Sequence, residues 1–181
     1  MSILAKSITL TREASVTRKF LAVTGFSALL VVASLVKIPL FFTPVPVTLQ
    51  TFVVLLAGAC LGPVYGAMSV GLYLAYGLLG APLFAGATGG LVYLAGPTGG
   101  YLMGFLPAAV LVGFARQRLS RPAFWMNYLV MLSGIAVIYT CGGLWLSCGY
   151  GWDLRQVVLL GIGPFIGVDL VKAFLAAVLS R

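Results

Sequence analysis

Long apolar runs, broken by short stretches of Gly, Pro and charge, occupy most of the chain. Six stand out, at 20–37, 47–61, 64–80, 98–115, 123–147 and 163–180. A helix rises about 1.5 Å per residue, so most of these runs cross a hydrocarbon core about 30 Å thick with modest adjustment. The run 47–61 is short and carries Thr48, Gln50 and Thr51, which predicts a tilted or partial crossing. The pattern predicts an all-α membrane protein, a bundle of about six transmembrane helices.

Composition supports this. Of the 181 residues 61% are hydrophobic and 8% charged, against about 25% charged residues in a soluble domain. Most of the surface must therefore face hydrocarbon. A basic start followed by Phe20–Val36 imitates a secretory signal, but further apolar spans follow at once, so this run reads as the first transmembrane helix. Two regions result: a basic cytoplasmic segment, 1–19, and one six-helix transmembrane domain, 20–181, with no polar linker inside it.

The net charge of +8 changes the picture through its placement. Lys6, Arg12, Arg18 and Lys19 precede the first run; Arg116, Arg118 and Arg121 share one connection; Arg181 is terminal. With the N-terminus inside, all of these fall on the cytoplasmic face, while Lys37 and Arg155 lie outside and Lys172 lies within a span. That bias predicts an N-in, C-in topology in a bacterial-type cell membrane. It also argues against a nucleic-acid partner, since the charges form no single patch.

Three segments then fall on the outer face: Pro39–Val47, the Gly-rich loop Gly80–Gly100, and Gly149–Gln156. Gly-rich loops permit positive φ and close backbone approach to a ligand; an ordinary flexible connector is the alternative. The segment 152–165 reads as a short amphipathic helix at the outer interface, before Pro164 opens the last span. Trp145, Tyr150 and Trp152 suit an interfacial belt.

Candidate chemistry is sparse. The acids are Glu13, Asp153 and Asp169, and only Asp169 lies inside a span, with Lys172 three residues on. That spacing puts both side chains on one helix face. Charge inside a bilayer costs several kcal/mol, so it persists when paired or facing a cavity. If the last helix starts near Pro164, Asp169 lies ~7 Å and Lys172 ~12 Å below its outer end. The pair either serves a ligand or fixes helix register. Gln50 likewise serves a ligand or bonds a neighbouring helix. Tyr73, Tyr76, Tyr101 and Tyr139 offer rings for packing or for a ligand cage.

Several classes are argued against. There is no His, and one intramembrane carboxylate supports neither acid–base pairs, metal sites nor hydrolase triads. Cys141 and Cys148 lie ~10 Å apart along one helix, too far to bridge. The chain has no GxxxxGK[ST] loop for ATP. An enzyme, a metal and a resident cofactor are not expected.

Five strings carry a resemblance: PVPVTLQT (44–51), LLAGACLGP (55–63), PLFAGATGGL (82–91), GPTGGYLMGF (96–105) and PFIGVDLVKA (164–173). In this order and spacing they resemble the BioY family, biotin-binding membrane components of energy-coupling-factor transporters. The resemblance implies six helices, an outward-accessible biotin site, a lid from the first loop, and Asp169 and Lys172 as polar ligand contacts. Where the family usually has Pro-Gly before that Asp, this chain has Gly167-Val168. Biotin, the transported ligand, has a thioether ring, an apolar arm, a ureido group and a carboxylate. Asp169 is expected to accept ureido N–H, and Lys172 to neutralise Asp169 or bind a ligand oxygen. Gln50 or Tyr101 would add polar contacts, while Phe84 and the backbone of Gly86, Gly89 and Gly90 close over the ligand. A transmembrane coupling subunit and two ATPases are the implied partners, with solitary action as a homo-oligomer the alternative. Thr24 and Ala28 give a small-xxx-small step on the first helix. An equivalent subunit for another vitamin, or a structural membrane subunit, are the competing readings.

Overall fold

The structure, a computed structural model, describes residues 15–119 and 123–181. Lys6, Arg12, Glu13, Arg121 and most of the basic segment 1–19 lie outside the described residues. Helix α1 (Val16–Leu35) begins before the predicted run, with the Ser15 side chain accepting from the Arg18 N–H. Two short strands follow, β1 (Lys37–Ile38) and β2 (Val47–Thr48), paired antiparallel with Lys37 opposite Thr48 and Ile38 opposite Val47. They close the base of the predicted outer loop 39–47.

Helix α2 (Gln50–Leu78) combines two predicted runs. Inside it Gly62 takes φ 79° and ψ −179°, a conformation that L side chains rarely adopt, and Pro63 follows. The chain folds back there. A straight helix would hold Gln50 and Tyr73 ~34 Å apart, yet Gln50 Nε2 donates to Tyr73 Oη at 2.5 Å. Close to the turn, a Cβ placed on Gly66 would stand 2.9 Å from the Ala57 carbonyl oxygen, so small residues let the two arms pack backbone to backbone.

The short α3 (Leu91–Ala95) precedes α4 (Gly99–Arg118) and α5 (Phe124–Tyr150), which ends at Gly151 in the left-handed conformation. The Trp145 indole N–H donates to Gly96 O at 3.0 Å and the Tyr150 hydroxyl to Ala95 O at 2.8 Å. These two residues, predicted for an interfacial belt, thus tie α5 to the end of α3.

The last helix, α6 (Leu154–Leu179), starts well before the predicted run. Asp153 and Gln156 form a reciprocal capping box at its start. The predicted interfacial helix is therefore continuous with the last span rather than separate from it. Val157–Ile162 wind as a π-helix before regular α geometry resumes at Gly163. Pro164 has no N–H to donate, so a carbonyl one turn earlier loses its usual partner. Wider turns accommodate this, and within them the Gly161 carbonyl accepts from the Tyr101 hydroxyl at 2.7 Å.

Among the described residues five helices, α1, α2, α4, α5 and α6, are long and apolar enough to cross a membrane. One core gathers Leu30, Val54, Val70, Tyr73, Phe84, Phe105, Ile138 and Phe165. A second joins Leu55, Val112 and Met131 to Ala173, Ala176 and Ala177 of α6. Outward-facing Phe20, Leu21 and Val32 on α1, and Leu170, Val171 and Phe174 on α6, present an apolar surface to the surroundings.

Candidate ligand-binding site

Asp169 and Lys172 sit three residues apart on α6 and point inward, both buried, while their neighbours Leu170 and Val171 point out. Lys172 Nζ lies 2.7 Å from Asp169 Oδ1. It also donates to the Thr48 carbonyl at 2.6 Å and to Thr51 Oγ1 at 3.2 Å. The Thr51 hydroxyl donates to Asp169 Oδ1 at 3.1 Å, and the Tyr139 hydroxyl to Asp169 Oδ2 at 2.7 Å. The pair thus draws β2, α2, α5 and α6 together. Desolvating two charges is costly, and these additional hydrogen bonds offset part of that cost.

A second polar chain runs beside it. Thr48 Oγ1 donates to Gln50 Oε1 at 3.0 Å, Gln50 to Tyr73, and the Tyr73 hydroxyl to the Leu83 carbonyl at 3.3 Å. Ser34 of α1 donates to that same carbonyl at 2.6 Å. The Gly-rich loop is therefore tethered at Leu83 to both α1 and α2.

Both chains border one partly open cavity, with about 540 Å³ of empty space including its mouth. Asp169, Lys172, Thr48, Gln50, Thr51, Tyr101 and Tyr139 supply its polar wall. Val45, Leu102, Phe105, Ile138 and Phe165 supply an apolar wall, and Ala85, Tyr93 and Thr98 come from the Gly-rich region. Mostly apolar walls with a few convergent polar groups characterise a small-molecule site.

Of the residues expected to contact a ligand, the structure places Asp169, Lys172, Gln50 and Tyr101 on this wall. Phe84, Gly86, Gly89 and Gly90 are not on it. Phe84 is fully buried behind the wall, edge-on to Tyr73 at 5.5 Å and stacked with Tyr93 at 5.2 Å. Gly90 turns its N–H to the Gly77 carbonyl at 2.6 Å, anchoring the loop to the end of α2. Gly86, at φ 87°, forms the exposed tip of a turn closed by Phe84 and Thr88. Ala85, with Tyr93 and Thr98 further along the same region, reaches the cavity.

Thr51 and Tyr139 are the contacts that sequence reasoning missed. Thr51 registers there only as polarity in a short run, and Tyr139 as one tyrosine among four. The signal for Thr51 lies in its place inside PVPVTLQT; Tyr139 has none, because only packing brings α5 to Asp169.

Residues 5–181 match the BioY family. The chain belongs to the BioY family. Similar to it is a protein named probable biotin transporter BioY from Pyrococcus horikoshii, 38% identical over 94% of each chain. The biotin transporter BioY of Thermotoga maritima is 39% identical, over 86% of this chain and 89% of its own. Among solved structures, the S-component for biotin from an ECF-type ABC transporter superposes with a TM-score of 0.85 and 31% identity. That likeness covers 95% of this chain and 93% of the other. The family and the long apolar helices together define a multi-pass membrane protein.

Proposed function

We propose that this protein captures biotin at the outer face of the cell membrane, as the substrate-binding subunit of an uptake system. The observation that carries this reading is the Asp169–Lys172 pair on the wall of a cavity rather than sealed in the bundle. Asp169 Oδ2 accepts from Tyr139, and its second lone pair remains for a ligand N–H. Gln50 has one amide N–H beyond that given to Tyr73, and the Tyr101 hydroxyl keeps acceptor capacity while donating to Gly161. Phe105, Phe165 and Ile138 offer apolar contact to a thioether ring and its arm. Ala85 and Tyr93 cover the site from the Gly-rich side.

The topology belongs to this reading. Counting the two arms of α2 as separate passes gives six crossings, with both termini inside. The Gln50–Tyr73 bond, spanning the turn at Gly62, supports that count. Arg116, Arg118 and Arg181 then share the cytoplasmic face, as the positive-inside bias requires. Energy for transport comes from a coupling subunit with two ATPases, or the chain acts alone as an oligomer. Copurification of an ATPase with the tagged chain from its host distinguishes these two modes.

Thermal unfolding in detergent tests the ligand. Biotin at a hundredfold excess over Kd stabilises a binding-competent fold by about 2.7 kcal/mol, a rise of a few degrees in Tm. Thiamine and riboflavin are expected to leave Tm unchanged. A response to either of them, with none to biotin, replaces biotin with that ligand; no response to any favours a purely structural subunit.

A further inference from the structure

Lys172 has no hydrogen-bond donor to spare. An ammonium carries three N–H, and Thr48 O, Thr51 Oγ1 and Asp169 Oδ1 take all three. With Asp169 in contact, the pair is neutral as a unit. A ligand carboxylate brought there would meet the Asp169 carboxylate at similar range, and the attraction and repulsion would largely cancel. Biotin is anionic at neutral pH, since an alkyl carboxyl titrates at about 4 to 5. Its charged end therefore calls for a cation away from this pair.

Lys37 answers that need. On β1 it is the register partner of Thr48, a residue of the cavity wall. Its side chain lies across Gly86, which follows the wall residue Ala85: a Cβ built on Gly86 would stand 3.1 Å from Lys37 Nζ and 3.7 Å from its Cδ. The lysine thus bridges the two loops that border the cavity, resting on a residue with no side chain to push it off. It is exposed and, among the described residues, forms no ion pair; the described acids are Asp169, held by Lys172, and Asp153, which caps α6.

We propose that Lys37 forms an anion subsite at the rim of the cavity and receives the ligand's carboxylate, so that the ureido end descends to Asp169. This rests on the biotin reading and assigns the ligand's direction within it. The subsite selects ligands that pair a polar ring with a terminal anion an arm's length away.

Calorimetric titration with biotin and with biotinamide, its neutral isostere, tests the assignment. Wild type is expected to favour biotin by about threefold to fivefold, the size of a partly exposed ion pair. Lys37→Gln is expected to bind biotinamide as wild type does and to lose the preference, while Lys37→Arg retains it. Arg181→Gln, which removes a charge at the far end of α6, is expected to keep the preference. A preference undiminished in Lys37→Gln, or absent from wild type that binds biotin, overturns the subsite and leaves the biotin reading standing. Wild type that binds neither ligand overturns both.

Discussion

Two buried polar clusters sit on α6, ~16 Å apart along its axis, and they differ in what surrounds them. Around Asp169 and Lys172 the bonds run mostly between side chains, and the cluster borders a cavity. Around Ser180 they run largely to backbone. Asn127 Nδ2 donates to the Ala177 carbonyl at 2.7 Å and to Ser180 Oγ at 3.0 Å, and Arg116 donates to the Ser180 carbonyl at 3.0 Å. The last carbonyls of a helix have no partner within it, and a cation there also complements the helix dipole. This second cluster closes off the end of α6 and joins it to α4 and α5.

Burial of polar groups therefore does not by itself mark a binding site. The Ser180 cluster even holds two buried atoms without a partner, Asn127 Oδ1 and Arg116 Nε, yet none of its members lies on the cavity wall. The Asp169 cluster is better satisfied internally and still faces open space. Accessible volume, not polarity, separates the two.

The largest test of this contrast is Asp169→Asn. Biotin affinity is expected to fall by about a hundredfold or more by calorimetry, because the charged acceptor is lost. The fold should also weaken by about 3–5 kcal/mol, since Lys172 is left buried without its counter-charge. Unchanged affinity would remove the functional half of the comparison. Asn127→Leu sharpens the other half: losing its two hydrogen bonds is expected to cost about 2 kcal/mol, seen as a lower Tm with biotin Kd unaltered. A changed Kd would mean that the two clusters are coupled along α6. The smallest effect is expected from Tyr73→Phe, which cuts the chain from Gln50 to Leu83. Biotin Kd should rise by about threefold, and amide exchange at residues 83–90 should quicken as the loop loses one of its two tethers at Leu83.

Much of this is legible along the chain. Apolar runs long enough to span lipid announce the helices, and Gly62-Pro63 announces a break, since positive φ followed by a missing N–H cannot continue a helix. The separate interfacial helix expected at 152–165 instead runs on into the last span, because a π-helical stretch leaves no composition signature. Phe84 shows the limit at the site. An aromatic ring in a Gly-rich loop reads equally as a lid or as a plug, and the decision rests with Tyr73 and Tyr93, which bury it.

What the sequence alone determined is local: the helices, their apolar surface, and the placing of Asp169 and Lys172 on one face. Those follow from hydrogen bonds and side-chain spacings spanning three or four residues. Only the tertiary structure decided what meets that face. Thr51 reaches Asp169 from 118 residues away and Tyr139 from 30, and such contacts depend on how whole helices pack, a property no single stretch of chain contains.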